Sequence, residues 1–359
     1  MTSPRDVLGV PVVPPAAATN ATNRLRTVLG RAHRALAPPP VRVVEGMLGI
    51  LDHAVLVALC RLDVPDHLTR RTDVPTLAVS VGASPEMLER LLRYAAARGW
   101  VRFDRAGRAA PTRALRFLRR DHPGGWRAWV DFAGGDDVVR AIAAVDAAVR
   151  EHADPFERAN GASFFAWMAA HPERGQAFDG AMAAGARMHG LMLASAVDWS
   201  ASSVVCDVGG GTGELLATLL AAQPHLEGVV FDLPHVVAGV TGTARLRVVA
   251  GSAFDAVPAG CDTYLLVNVL HDWGDDAARR FLASIVAAAT GARVVVVENE
   301  RRAVPLDDIG TRSDFLMMAL TPGGRERTTG ELADLGAAAG LRLARSIPLP
   351  SGDRAHVFS

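Results

Sequence analysis

The chain has no lysine, so all 38 of its basic residues are arginine, and 38 acidic residues balance them to a formal net charge of zero. Nucleic-acid binding usually needs a basic surface, so this balance argues against a nucleic-acid partner. Cysteine is also scarce. Its three positions, Cys60, Cys206 and Cys261, have neither metal-site spacing nor a disulfide pattern, and we expect no bound metal.

Targeting signals and long apolar runs are lacking as well. Residues 1–6 have neither the basic nor the apolar region of a signal peptide. No uncharged apolar run reaches the length of about 18 residues that a membrane-spanning helix needs. We therefore expect a cytoplasmic protein with no membrane partner. A length of 359 residues, with 50% hydrophobic residues, allows two domains with an ample core.

Three regions differ in composition. Residues 1–40 are rich in proline and alanine and predict an extended or partly disordered arm. Residues 41–195 are mostly helical in pattern, and residues 74–112 within them are typical of a winged helix-turn-helix. The second helix of this module carries two arginines but also two glutamates, so we interpret it as a protein-interaction module and not as a DNA reader.

Residues 196–359 alternate predicted strands with helices, which is typical of a parallel sheet. The last two predicted strands flank a turn at residues 351–353, and this close linkage predicts an antiparallel hairpin at the carboxyl end. The predicted fold class is therefore α/β, with a seven-stranded Rossmann-like sheet. The predicted strands are 203–208, 227–232, 246–250, 262–268, 292–298, 341–345 and 355–358.

A glycine-rich turn, Asp207-Val208-Gly209-Gly210-Gly211-Thr212-Gly213-Glu214, joins the first of these strands to a helix. Such a turn lets the backbone approach a nucleotide-like ligand closely. A dinucleotide fingerprint needs glycine where Glu214 stands. Asp207 and Glu214 would repel a pyrophosphate but attract an amine and a sulfonium. The turn therefore favours S-adenosylmethionine over NAD.

Asp232 ends the second strand, 25 residues after Asp207. An acid at this place is positioned to accept hydrogen bonds from both ribose hydroxyls of a bound nucleoside. A role as helix N-cap before Leu233 and Pro234 is compatible with that function. Asp232 thus indicates nucleoside binding without identifying the nucleoside.

The fourth strand runs into Val269-Leu270-His271-Asp272-Trp273, which puts His271 beyond the carboxyl edge of the sheet, where ligands bind. A phenol has a pKa of about 10 and imidazole one of about 6.5, so full proton transfer would cost about 5 kcal/mol. A carboxylate beside the imidazole reduces that cost. Glu298 and Glu326 are the candidates, although Glu298 also suits an ordinary strand end and Glu326 a salt bridge to Arg325 or Arg327.

Together, the glycine turn, Phe231 to His235, Asn268 to Trp273 and Gly323 to Thr328 resemble the S-adenosylmethionine-dependent O-methyltransferases of the plant caffeate type. The likeness covers roughly residues 40–359. It is greatest to the bacterial branch that methylates polyketide and other natural-product hydroxyls. The resemblance implies a class I methyltransferase sheet, a homodimer built by the helical domain, S-adenosylmethionine as cofactor and a small aromatic hydroxylated substrate.

The resemblance also implies roles for individual residues. His271 would be the catalytic base, with Asp272, Glu298 and Glu326 beside it. Where the family has Gly-Asp after the third strand, this chain has Gly251-Ser252, so the adenine contact would fall on Ser252 and Phe254. The residues expected to bind the donor are Asp207, Gly209, Gly211, Asp232, Leu233, Ser252, Phe254 and Asn268.

Aromatic and methionine side chains would suit a flat, apolar acceptor, and Met182 matches the substrate-contacting methionine of the family. Filling of the helical core is the alternative role for these side chains. The expected substrate residues are Phe165, Trp167, Phe178, Met182, Met317 and Met318. N-methylation, decarboxylation or hydroxylation, and a regulatory protein that only binds the donor, are the alternative functions, and His271 favours O-methylation.

Overall fold

The computed structural model describes residues 13–151 and 153–359. Helices dominate up to residue 196 and are joined by short loops. Within the described residues the first helix is α1, Ala16–Leu36, so the expectation of an extended arm was wrong for this stretch. Alanine and arginine are strong helix formers, and Pro15 stands at the N-cap, where proline does no harm. Residues 1–12 of the expected arm lie outside the described residues.

The predicted winged module is present. Helix α5 (Val74–Ser80) begins at Asp73, whose side chain accepts a hydrogen bond from the Thr76 N–H at 2.9 Å. Helix α6 (Pro85–Ala97) follows, and β1 (Val101–Phe103) pairs antiparallel with β2 (Ala109–Pro111) to form the wing. The other helices before it are α2 (Pro39–Leu48), α3 (Ile50–Arg61) and α4 (Val64–His67).

The stretch Pro39–Arg61 is exposed and apolar. By length and composition alone it would suffice to cross a membrane, since its most apolar window has a mean hydropathy of 1.9 and only 17% of it is buried. This exposed apolar stretch was not predicted from the sequence. A face that packs against a second subunit has the same composition, so the stretch is weak evidence for a membrane. Its exposed apolar residues include Val43, Val44, Met47, Leu48, Ile50 and Leu51.

A cap of short helices follows the wing and ends in one long helix, α13 (Pro172–Ala196), that leads into the sheet. Aromatic side chains hold the cap together, with Phe164 in edge contact with Phe132, Phe156 and Phe178. The helices of this region are α7 (Arg113–Arg116), α8 (Trp126–Ala133), α9 (Asp136–Ala143), α10 (Val145–Glu151), α11 (Pro155–Asn160) and α12 (Phe164–Ala170).

The sheet has the order β5-β4-β3-β6-β7-β9-β8, with β3 to β7 parallel and β9 antiparallel to both β7 and β8. The seven-stranded sheet with a terminal antiparallel hairpin is therefore confirmed. The strands are β3 (Val204–Val208), β4 (Glu227–Asp232), β5 (Leu246–Ala250), β6 (Thr263–Val267), β7 (Arg293–Glu298), β8 (Leu343–Pro348) and β9 (Arg354–Phe358).

Both faces of the sheet are covered, which explains why its central strands are continuous apolar runs. One face packs on α13 and α14 (Glu214–Ala222), and the other on α16 (Asp275–Ala288) and α18 (Thr329–Ala338). The remaining helices are α15 (Pro234–Val237) and α17 (Ile309–Leu320). Parallel strands β3, β4, β6 and β7 end at one edge, which brings the candidate residues together. The boundaries at residues 40 and 195 remain predictions.

Candidate active site

The glycine turn after β3 has the backbone shape that only glycine takes readily. Gly209 has φ +75°, and a Cβ atom there would lie 2.8 Å from Val269 Cγ2. Gly211 has φ +56°, and no atom would lie within 4 Å of a Cβ at that position. Open space above a glycine is what a closely approaching ligand needs. The Gly211 N–H donates to Asp232 Oδ2 at 2.8 Å, which ties the turn to the end of β4.

Acidic groups line this turn. Asp207 is 2% exposed, and burial together with the nearby Asp232 raises its pKa to about 7. Burial also raises the pKa of Asp232, although the N–H groups of Leu233 and Gly211 oppose the shift. Within the described residues, Asp207 Oδ2 has no hydrogen-bond partner. A ligand with an ammonium and a sulfonium group would relieve this repulsion and supply the missing donor.

Asp179, on α13, was not among the site residues predicted from the sequence. Burial and the charge of Asp232 raise the pKa of its carboxyl, which places this cap residue next to the predicted ribose site. Its position three residues before Met182, on the helix already expected to contact substrate, was the available signal. Asp179 shows that the cap contributes charge as well as apolar surface to the crevice.

The other predicted donor-binding residues lie just after the carboxyl ends of β4, β5 and β6. Asn268, at the end of β6, has φ +53°, a backbone conformation that asparagine tolerates better than most residues. Ser252 Oγ accepts a hydrogen bond from the Phe254 N–H at 3.2 Å, so this hydroxyl shapes its own loop. Phe254 packs edge-on against Trp273 with ring centroids 4.9 Å apart, and Leu233 is 38% exposed.

His271 lies in a single turn of 3₁₀-helix, Leu270–Asp272, directly beyond β6. It is 8% exposed, and its Nδ1 atom is 2.9 Å from Glu326 Oε1 and 3.4 Å from Glu298 Oε2. The structure therefore brings together the histidine and both candidate carboxylates, which come from three separate segments. Nε2 lies 3.7 Å from Asp272 Oδ1, beyond hydrogen-bond distance.

The carboxylates make His271 strongly basic. Burial alone would lower the pKa of the imidazole, but the charges of Glu298 and Glu326 outweigh it and raise the pKa to about 10. Burial raises the pKa of Glu298 to about 7 and that of Asp272 to about 6. One ring nitrogen of His271 and one carboxylate oxygen each of Glu298 and Glu326 lie within 4.8 Å of one another, a spacing that could also hold a metal ion. His271 Nδ1 already pairs with Glu326 Oε1 at hydrogen-bond distance, so we interpret the three residues as a base flanked by two carboxylates.

Glu326 has partners that sequence patterns did not reveal. Ser313 Oγ donates to Glu326 Oε1 at 2.6 Å, and Asn299 Nδ2 lies 3.4 Å from the same oxygen. Asp314 Oδ1 accepts the Glu326 N–H at 2.9 Å. Asn299 directly follows Glu298 in the sequence, which was a signal, whereas nothing marked Ser313. The alternative salt bridge of Glu326 is absent from the described contacts, because Arg325 contacts Glu331 and Arg327 contacts Asp275.

The predicted substrate residues divide into two groups. Phe165 stacks on Trp273 with ring centroids 5.6 Å apart, and Phe178 packs against Phe165, so these aromatics reach the crevice. Trp167 instead stacks on His171 and borders a separate surface cavity of about 500 Å³. The methionines expected at the substrate are Met182, half-buried among the cap aromatics, and Met317 and Met318 on α17.

Comparison with known proteins identifies the family to which this chain belongs. Residues 143–342 match the O-methyltransferase domain family, and residues 44–114 match the O-methyltransferase dimerisation domain. The chain belongs to the S-adenosylmethionine-dependent O-methyltransferase family. This methyltransferase is 34% identical over 322 residues to O-demethylpuromycin-O-methyltransferase of Streptomyces alboniger, covering 85% of this chain and 84% of that protein.

Two solved structures are similar throughout. The crystal structure of LaPhzM has a TM-score of 0.82 and 29% identity, covering 90% of this methyltransferase and 99% of that chain. NcsB1, an O-methyltransferase from neocarzinostatin biosynthesis, was solved with S-adenosylmethionine and 2-hydroxy-5-methyl naphthoic acid. It has a TM-score of 0.70 and 31% identity, covering 86% and 95%. The predicted family, fold class and enzyme class are thereby confirmed, and the roles of individual residues remain predictions.

Proposed function

We propose that this methyltransferase transfers a methyl group to a phenolic hydroxyl of an aromatic natural product, with His271 as general base. The observation that carries the proposal is the orientation of His271. Nδ1 is paired with Glu326, and Nε2 has no hydrogen-bond partner among the described residues, which leaves Nε2 to accept the hydroxyl proton. The base and the glycine turn lie at the same edge of the sheet.

The raised basicity of His271 suits a phenol. An imidazole of pKa about 10 matches a phenol of pKa about 10, so proton transfer between them costs little free energy. When Nε2 takes the proton, the negative charges of Glu298 and Glu326 beside Nδ1 stabilise the imidazolium. The acceptor oxygen keeps its electron pair for attack on the methyl group. Burial of all three side chains strengthens each of these interactions.

S-adenosylmethionine supplies an electrophilic methyl group on a sulfonium. In the proposed arrangement, Asp232 accepts hydrogen bonds from the ribose hydroxyls, and Asp207 faces the cationic amine. Gly209 and Gly211 leave room for the methionine part of the donor. The unpaired Oδ2 of buried Asp207 supports this fit. Ser252, Phe254, Leu233 and Asn268 complete the proposed donor site.

For the acceptor we propose a flat, largely apolar aromatic molecule between the cap and the base. Phe165 of the cap supports this, because it stacks on Trp273, which lies two positions after His271. The aromatic surface of the cap therefore extends close to the base. Met182, Met317 and Met318 would adapt to the outline of the ring. Trp167 borders another cavity, so we assign it to cap packing.

We also propose that the enzyme is a homodimer in the cytoplasm. The exposed apolar stretch Pro39–Arg61 overlaps the matched dimerisation domain, and a second copy would remove its surface from water. Cys60, Cys206 and Cys261 are buried free thiols, which suits a reducing compartment.

The decisive experiment replaces the base and leaves the donor site intact. Turnover is first established by mass spectrometry on a panel of phenols and hydroxynaphthoates. His271→Gln should lower kcat by about 10²–10⁴-fold while the Kd for S-adenosylhomocysteine, measured by calorimetry, stays unchanged. His67→Gln, at an exposed histidine of the helical domain, is the control. Equal turnover of the two variants would remove His271 from the mechanism.

A further inference from the structure

Helix α17 carries Ser313, whose hydroxyl contacts Glu326, the carboxylate that pairs with the proposed base. Ser313 Oγ donates to Glu326 Oε1 at 2.6 Å, which is the length of a strong hydrogen bond to a charged acceptor. The same oxygen faces His271 Nδ1 at 2.9 Å and Asn299 Nδ2 at 3.4 Å. Glu326 is fully buried, so these side chains stand in for water around its charge.

The two carboxylates beside His271 are held differently. Glu298 Oε1 accepts the backbone N–H groups of Leu270 and Val269 at 2.8 and 3.2 Å, and its Oε2 lies 3.4 Å from Nδ1. Glu326 instead receives side-chain donors on the very oxygen that bonds Nδ1. Of the two carboxylates, it is therefore Glu326, the one closer to the imidazole, that accepts the hydrogen bond from Ser313.

The position of Ser313 on α17 is also informative. The next residue, Asp314, accepts the Glu326 N–H at 2.9 Å, so one turn of helix fixes both the backbone and the side chain of Glu326. The same helix carries Met317 and Met318, proposed above to contact the acceptor. Helix α17 thus connects the acceptor pocket to the base.

We propose that Ser313 is a positioning residue, whose hydroxyl holds Glu326 Oε1 aimed at Nδ1 of His271. The inference rests on the proposed function of His271 as general base. Without the hydroxyl, the carboxylate loses a donor that fixes its position, so Glu326 Oε1 should contact Nδ1 less closely and stabilise the imidazolium less.

Several charged groups surround Glu326 and His271. Of these, Arg325 and Arg327 hold Glu331 and Asp275, and Asp353 is paired with His189. The full set is His271 and Asp272 of the turn after β6, Glu298 of β7, Asp314 of α17, Arg325 and Arg327 beside Glu326, and the His189–Asp353 pair. Substituting Ser313 changes none of these charges.

The test compares Ser313→Ala with Ser313→Thr, which retains a hydroxyl, and with Thr311→Ala, an exposed position on the same helix. Ser313→Ala should reduce kcat about tenfold and move the acidic limb of the pH profile of kcat/KM, which is set by His271, to lower pH by about one unit. Ser313→Thr should restore the wild-type limb, and Thr311→Ala should leave it unmoved. The acceptor is the best phenol or hydroxynaphthoate of the panel.

A Glu326→Gln background separates positioning from helix packing. If Ser313 acts through Glu326, then adding Ser313→Ala to Glu326→Gln should cause no further loss of kcat. An additional tenfold loss there, or an unmoved acidic limb in Ser313→Ala, would overturn the proposal.

A readout without turnover keeps this proposal distinct from the proposed function. The ring signals of His271, assigned by their loss in His271→Gln, are followed by NMR across pH in protein labelled at histidine. In Ser313→Ala, the inflection of the imidazole titration should move to lower pH by about one unit, because Glu326 no longer holds its contact with Nδ1. An unmoved inflection refutes the role of Ser313. A moved inflection in an enzyme whose turnover does not need His271 refutes the proposed base alone.

Discussion

His189 Nε2 lies 2.5 Å from Asp353 Oδ2, and both side chains are buried. Their contact joins α13, the long helix of the cap, to the turn between β8 and β9 at the edge of the sheet. The other ring nitrogen of His189 lies 3.1 Å from the Gly185 carbonyl oxygen, so both nitrogens are occupied. A buried ion pair therefore joins the cap to the sheet.

This pair should stabilise the fold over a defined pH range. Burial lowers the pKa of His189, but Asp353 outweighs burial and raises it overall, and His189 holds the pKa of Asp353 below its usual value despite burial. The stabilisation is therefore lost as pH falls through the lowered pKa of Asp353, and as pH rises through the raised pKa of His189.

Asp353→Asn should lower the free energy of unfolding at neutral pH by about 3 kcal/mol, because a buried imidazolium loses its partner. Urea denaturation measures this, with Asp255→Asn at an exposed acid as the control. The difference from the wild type should shrink in acid. A loss that is equal at neutral and acid pH would mean that the pair is not ionic.

Catalysis should be favoured by alkaline pH. The base must be neutral to accept a proton, and His271 has its pKa raised to about 10 because the carboxylates outweigh burial. The wild-type kcat/KM should therefore rise from neutral pH towards about 10. Glu298→Gln removes one negative charge near Nδ1 and should move this break to lower pH. A flat profile in the wild type would exclude a base of this pKa.

Donor affinity should depend on Asp232. Hydrogen bonds from ligand hydroxyls to a carboxylate contribute about 1.5–3 kcal/mol, so Asp232→Ala should raise the Kd for S-adenosylhomocysteine by at least about tenfold. Titration calorimetry measures this directly. Asp255→Asn is again the matched control. Since Asp232 also accepts the Gly211 N–H, circular dichroism should confirm that the variant remains folded.

The dimer should depend on the apolar face of α2. Val43 and Met47 lie one turn apart and are 72% and 67% exposed. Introducing aspartate at both positions would bury two unpaired charges in the proposed interface, so the Val43→Asp/Met47→Asp variant should sediment as a monomer in analytical ultracentrifugation. Val304→Asp, at another exposed apolar residue, should sediment as the wild type does. A dimeric double variant would place the interface elsewhere.

Local sequence patterns predicted much of the fold and of the candidate site. Alternating apolar strands and helices predicted the sheet, and short-range spacing predicted the wing. The glycine turn, Asp232 and the motif around His271 were recognised because each lies within a few residues of a strand end, where parallel topology forces functional groups together. The arm was misjudged at Ala16–Leu36 because proline content was weighed above the strong helix propensity of alanine and arginine.

The tertiary structure alone decided the environment of the base. The sequence predicted Glu298 and Glu326 as equal candidates, and only the packing of β7 and of the segment between α17 and α18 around His271 placed Glu326 closer, at 2.9 Å against 3.4 Å. Ser313 and His189 were invisible to pattern analysis, because their partners lie 13 and 164 residues away. Periodicity identifies the buried face of an element, whereas the distance between two side chains depends on how separate elements pack.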